Sequence, residues 1–181
     1  MEGINDEPVY EPQEDSYFLL DCLKKELEGK KIGRALEIGT GSGILAIEAA
    51  KSAKKVLAVD INPDAISEAK LAAKKAGTKN IEFVEGDLFG NVSGRFDLIF
   101  FNPPYLPGRG EACLCGGKRG QEVIERFLGA VGSHLKDGGK ALILLSSFND
   151  VESLKKKYGF RIVADKKLWF EALFCAEIKK S

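Results

Sequence analysis

The sequence predicts an α/β fold: a seven-stranded, mostly parallel sheet covered by helices on both faces, with the last strand antiparallel. Two patterns predict it. Short apolar runs of strand length alternate with amphipathic helical stretches along most of the chain. Such alternation builds parallel sheets with helices on both faces. The last two strand-like runs then lie too close together for a crossover helix, so they pair as an antiparallel hairpin.

Each element has its own signal. The opening dozen residues carry Pro8 and Pro12 and read as an extended arm. Phe18, Leu19, Cys22, Leu23 and Leu27 recur at helical spacing, and Gly29 stops that helix. Strands are expected at 35–39, 56–60, 81–85 and 96–101, each a short run rich in Val, Ile, Leu or Phe. Helices are expected at 44–52 and 63–76. The second has Asn62 as its N-cap, Pro63 in its first position and Gly77 just beyond its end. A helix at 121–135 leads through a Gly138-Gly139 turn to a strand at 140–146, and 151–158 is a short helix. Strands at 161–165 and 169–178 close the chain, with Trp169 and Phe170 expected in the core. The stretch 103–120 is a long loop rich in Gly, Pro and Cys, of the kind that usually carries function.

At 181 residues the chain has the length of one domain, against a prior of roughly 150 residues per domain. No apolar run exceeds five residues, as in 141–145, whereas a membrane helix needs about 20. The acidic, polar start at 1–7 does not resemble a secretory signal, which points to the cytoplasm. There Cys22, Cys113, Cys115 and Cys175 read as reduced thiols. Cys113 and Cys115 form a lone C-x-C without a second pair or a nearby His, so no metal site is expected. Twenty-seven basic residues balance 27 acidic ones, which counts against direct binding of nucleic acid.

The first chemical signal is Glu37-Ile38-Gly39-Thr40-Gly41-Ser42-Gly43, a strand-to-helix turn. Its glycines let backbone approach a ligand closely. Asp60 ends the next strand, 19 positions after Gly41, the usual offset for an acid that holds a ribose diol. The spacing is G-x-G-x-G and nothing basic sits in the turn, which suits a nucleoside without phosphates. Asp87 follows the third strand, where its carboxylate can accept from an exocyclic amine of adenine. Together these elements resemble the class I S-adenosylmethionine-dependent methyltransferases over about residues 33–178. That resemblance implies a Rossmann-like sheet, S-adenosylmethionine as cofactor, and Ile61 and Leu88 beside the two acids as further contacts.

Asn102-Pro103-Pro104-Tyr105 follows the fourth strand directly. An amide or aromatic-amine nitrogen is a poor nucleophile because its lone pair is delocalised. The Asn102 side-chain carbonyl and the Pro103 backbone carbonyl can each accept one N–H of such a group, and the prolines stiffen the turn. Tyr105 can pack on its flat face. Placement and electrostatics then suffice, because a sulfonium methyl is already activated. The motif resembles that of methyltransferases acting on adenine N6, guanine N2 or the glutamine amide.

The stretch 9–20, VYEPQEDSYFLL, resembles the signature of HemK-like glutamine methyltransferases in their short eukaryotic and archaeal branch, as does 116–128. The resemblance implies methylation of the glutamine in the Gly-Gly-Gln loop of a peptide-chain release factor. It also implies one methyltransferase domain over 1–181: an arm and helix at 1–30 over the cleft, and a Rossmann-like core at 31–181. Tyr10, Pro12, Glu14 and Ser16 are then cleft-lining candidates, although Glu14, Asp15 and Ser16 also suit a helix N-terminus. Cys113 and Cys115 depart from the bulky residues of relatives. The fold's usual strand order puts Ile81–Glu85 at a sheet edge without Pro or Lys. A small zinc-binding activator protein, common in this branch, is expected to add a strand there.

Rival readings are an adenine N6 methyltransferase, a protein lysine methyltransferase and a non-catalytic scaffold. The last is disfavoured by the glycine turn, the acid and N-P-P-Y occurring together. His134, the sole histidine, falls in the last turn of a helix, where a cation suits the dipole. Lys155, Lys156 and Lys157 read as a solvated face.

Overall fold

The computed structural model describes residues 10–106, 108, 116–117 and 120–180. In chain order these form α1 (Glu14–Leu27), β1 (Ile32–Ile38), α2 (Ile44–Ala50), β2 (Ala53–Asp60), α3 (Pro63–Lys75), β3 (Ile81–Glu85) and β4 (Phe96–Phe101). Then follow α4 (Glu122–His134), β5 (Leu135–Ser146), α5 (Val151–Tyr158), β6 (Arg161–Lys167) and β7 (Ala172–Lys179). The expected extended arm at 1–9 and the pair Cys113 and Cys115 lie outside the described residues.

One seven-stranded sheet runs in the order β3-β2-β1-β4-β5-β7-β6, and β7 alone runs against the rest. Its two faces carry separate apolar clusters. Phe18, Leu19 and Leu23 of α1 join Leu45 and Ala46 of α2 and Phe100 of β4 on one face. Ile124 and Phe127 of α4 and Leu154 of α5 meet Leu36, Ile99 and Ile143 on the other. Each fully buried Leu, Ile or Phe stabilises the fold by about 1.5–3 kcal/mol relative to exposure. The chain order reverses direction between β1 and β4, and ligands of open α/β sheets bind at such a point, outside the carboxyl ends of the strands.

Local signals hold where they are self-contained. The Asn62 side chain caps α3 by accepting from the Asp64 N–H at 2.9 Å, with Pro63 first in the helix and Gly77 beyond it at φ +70°. Lys155, Lys156 and Lys157 are exposed. Among the described residues no helix is long and apolar enough to cross a membrane.

Two expectations need correction. Gly138-Gly139 is not a turn ahead of the strand, because β5 already begins at Leu135. Phe96 pairs with Leu135 and Leu98 with Lys140, so 136–139 bulge out of the ladder. The bulge is held by backbone bonds to Lys180 at 3.2 and 3.0 Å, with Gly138 at φ +73°. His134 is in the last turn of α4, as expected, and stacks on Phe89 with centroids 4.3 Å apart, where burial depresses its pKa. Trp169 and Phe170 are not core residues: they are 94% and 86% exposed. The Leu168 N–H donates to the Glu171 carbonyl at 2.7 Å, so the two aromatics form the tip of the β6–β7 hairpin and β7 begins only at Ala172.

Candidate functional site

A cleft of about 340 Å³ opens at the carboxyl ends of β1, β2 and β4. Its walls come from the glycine turn, the ends of β2 and β3, the start of α1 and the segment after β4. Of the residues singled out in the sequence, Tyr10, Pro12, Ser16, Glu37, Gly39, Thr40, Gly41, Asp60, Ile61, Asp87, Leu88, Asn102, Pro103, Pro104 and Tyr105 all line it. Glu14 and Gly43 do not. Glu14 is solvent-exposed and faces Lys166 at 4.0 Å. Gly43 sits at the N-cap of α2 at φ +79°, where a Cβ would lie 3.0 Å from that of Ala69. Its missing side chain lets α2 and α3 approach.

Glu37 is 1% exposed, and burial pushes its carboxyl well up from the usual range. Its Oε2 accepts from the Thr40 hydroxyl at 2.6 Å and the Ala46 N–H at 3.1 Å, locking the glycine turn onto the first turn of α2. Asp60 bridges that turn to the next loop. Its two oxygens accept from the Gly41 N–H at 2.8 Å and the Asn62 N–H at 3.0 Å. Burial raises the Asp60 pKa against these backbone donors. Asp87 pairs with Arg126 at 2.7 Å on the exposed rim. Next to it Leu88, at φ +51°, is the one non-glycine residue with positive φ among the described residues. Such strain recurs at ligand sites.

The Asn102 amide is held from one side. Its Nδ2 donates to Asp15 Oδ2 at 3.1 Å and lies 3.4 Å from Ser16 Oγ. Asp15, 6% exposed, also accepts from the Tyr10 hydroxyl at 2.9 Å and the Ser16 N–H at 2.6 Å. With the nitrogen end committed to acceptors, the opposite end of the amide must be oxygen. That oxygen, Oδ1, is buried and has no hydrogen-bond partner in this structure. Tyr105 keeps its proton throughout the physiological range, because burial, Asp15 and Glu171 all push its pKa up.

A family model described as methyltransferase small domain matches residues 11–171. The chain belongs to this methyltransferase family. A provisionally named protein N5-glutamine methyltransferase of Methanocaldococcus jannaschii is 44% identical over 166 residues, covering 85% of this chain and 82% of that one. A release factor glutamine methyltransferase of Deinococcus radiodurans is 34% identical over 152 residues, 76% of this chain and 54% of its own, so this methyltransferase spans about half of that relative. In fold it matches a Thermus thermophilus 16S rRNA N2 G1207 methyltransferase solved with AdoMet and guanosine. The TM-score is 0.73 at 21% identity, over 94% of this chain and 44% of that one. The resemblance to HemK-like enzymes and the class I fold are thereby borne out.

The cleft suits S-adenosylmethionine. Asp15, Glu37, Asp60 and Asp87 line a space whose cation, Arg126, is paired at the rim. A cationic, phosphate-free nucleoside fits that balance and a dinucleotide does not. Among the described residues no group of His, Cys, Asp or Glu could hold a metal ion.

Sequence reasoning missed three residues here. Asp15 reads as a helix-capping residue, yet the α1 N-cap has no side-chain bond and Asp15 turns inward. Arg126 carries no local mark. Asn149 is 6% exposed and ties the acceptor loop down, donating to the carbonyls of Tyr105 at 3.1 Å and Gly120 at 2.9 Å. Its Oδ1 accepts from the Ser146 N–H at 3.0 Å. An Asn ahead of a helix looks like a cap, so nothing in the sequence separates this role.

Proposed function

We propose that this enzyme methylates the side-chain nitrogen of a glutamine, in the Gly-Gly-Gln loop of a peptide-chain release factor. The observation that carries the reading is the buried, unpartnered Oδ1 of Asn102 in the cleft wall. A buried acceptor left unpaired costs about 1–3 kcal/mol, and an incoming N–H relieves that cost. Support for glutamine comes from the two relatives named above, whose names carry that activity.

The bound cofactor supplies an activated methyl group on a sulfonium. Asn102 Oδ1 and the Pro103 carbonyl each take one hydrogen of the acceptor NH2, which turns the nitrogen lone pair toward the cofactor side of the cleft. Tyr105 packs on the amide plane and, remaining protonated, takes no proton. The nitrogen would shed one proton to solvent as the methyl carbon passed to it from the sulfonium, which would leave as a neutral thioether, so no strong base is needed. Glu37, Gly39, Thr40, Gly41, Asp60, Ile61, Asp87 and Leu88 would hold the nucleoside, with Tyr10 and Ser16 lining the same cleft. Asp15 positions Asn102. Asp15→Ala should therefore lower kcat about tenfold, the scale of one hydrogen bond, with KM and cofactor affinity nearly constant. Steady-state kinetics and calorimetry check the split.

The domain reading takes 1–181 as one methyltransferase domain that acts in the cytoplasm, with 1–30 over the cleft and 31–181 the core. Asp15 and Ser16 of α1 in the cleft wall support it. A small zinc-binding activator is proposed to extend the sheet at β3. Support comes from the position of β3 at the end of the strand order, beside a groove of Lys70, Lys74, Lys79, Ile81 and Phe83. Phe83→Lys should abolish co-purification with the activator, and unchanged co-purification and activity would overturn that partner.

The direct test incubates the enzyme with labelled S-adenosylmethionine and a release factor, then sequences the Gly-Gly-Gln peptide by mass spectrometry. Label on the glutamine is expected. Label on lysine, or on adenine of added nucleic acid instead, sinks the reading.

A further inference from the structure

Trp169 and Phe170 are the most exposed large apolar side chains described. Their rings meet edge-on with centroids 5.9 Å apart. The turn beneath them is pinned on both sides. Leu168, which packs on the core, closes it through its N–H to the Glu171 carbonyl at 2.7 Å. Ala172 then accepts from the Ser147 N–H at 2.8 Å and donates to Ser147 Oγ at 3.0 Å. Exposed aromatics on a pinned turn suit a protein interface, where aromatic anchors dominate binding energy and the backbone needs little ordering on docking.

Their place in the fold says what they meet. β7 runs antiparallel to β5 and starts opposite Ser146, so the hairpin tip stands at the carboxyl edge of the sheet, where the cleft opens. The next residue, Glu171, is close enough to Tyr105 of the cleft to push its pKa up. β3, the proposed activator edge, lies at the far end of the strand order. A cleft of about 340 Å³ is of small-molecule size and does not take in a folded protein. A folded protein that inserts one glutamine must lay its flanking surface across the rim.

We propose that Trp169 and Phe170 form the docking platform for the folded body of the protein substrate, outside the segment that enters the cleft. The proposal rests on the release-factor reading given above. Trp169 is the only tryptophan in the chain, so 5-fluorotryptophan gives the labelled enzyme a single 19F resonance. With S-adenosylhomocysteine bound, saturating release factor should remove that resonance's solvent-isotope shift. The W169A/F170A double variant should keep its melting temperature, its cofactor affinity and its kcat. Its KM for the whole release factor should rise about tenfold or more, while its KM for a short Gly-Gly-Gln peptide stays at the wild-type value. A resonance that stays solvated in the complex, or an unchanged KM for the whole protein, overturns the proposal. If the wild-type enzyme methylates the release factor with Trp169 still solvated, the platform alone falls. If the release factor is neither methylated nor shields Trp169, the substrate reading falls and takes the platform with it.

Discussion

Asn102→Ala should leave S-adenosylmethionine affinity nearly unchanged and lower kcat by about 10²–10³-fold, the scale seen when one preorganised transition-state partner is removed. The reason is geometric. Oδ1 of Asn102 has no partner in this structure, so the only bonds lost within the protein are those of Nδ2 to Asp15 and Ser16. What is lost is the acceptor that turns the substrate nitrogen, an interaction strongest as charge develops, so kcat falls more than binding weakens. Asn102→Asp is the sharper control. It keeps an acceptor but replaces Nδ2, now 3.1 Å from Asp15 Oδ2, with a second carboxylate oxygen. Like charges at that distance repel, so this variant too should be impaired. Single-turnover methylation together with calorimetry separates the two steps, and wild-type turnover in Asn102→Ala would remove the proposed mechanism.

The second large effect is at Asp60. Asp60→Ala should weaken cofactor binding by about 1.5–3 kcal/mol, the cost of a hydrogen-bonded charge, or roughly tenfold to a hundredfold. The carboxylate fixes the Gly41 and Asn62 amides and lines the cleft. Its pH dependence follows from burial. The Asp60 pKa is raised from 3.8, so the acceptor is lost to protonation at a higher pH than for an ordinary aspartate. Affinity should therefore decline as pH falls through that raised value, and Asp60→Asn should flatten the decline. Stability runs the other way. Glu37 and Asp60 both carry folded-state pKa values above their unfolded ones, so the native state holds the extra protons. Their contribution favours folding below the unfolded value and is lost as pH rises through the folded one. Titration calorimetry and melting curves at matched pH check both signs.

The parts of the site that were legible in the sequence are those made by adjacent residues. The glycine turn, Asp60 and Asn102 to Tyr105 each sit where a strand ends, and strand ends are marked by local punctuation. Asn62 and Pro63 announce α3 for the same reason, since a cap is a contact over two residues. Where element boundaries moved, the cause was pairing. Leu135 belongs to β5 because Phe96 pairs with it, which no window around Gly138-Gly139 reports.

By itself, then, the sequence determined the α/β class, the order of the elements, the family and the position of the Asn102–Tyr105 motif at the end of β4. Each rests on periodicity or on side chains a few positions apart. Only the tertiary structure decided what those groups face. Asp15 reaches Asn102 across 87 positions and Asn149 reaches Tyr105 across 44. Both residues look like helix caps until the sheet brings their partners within bonding distance. Trp169 and Phe170 read as core because apolar side chains usually are. The hairpin closed by Leu168 and Glu171 turns them to solvent instead, since a tight tip has no second layer to cover it.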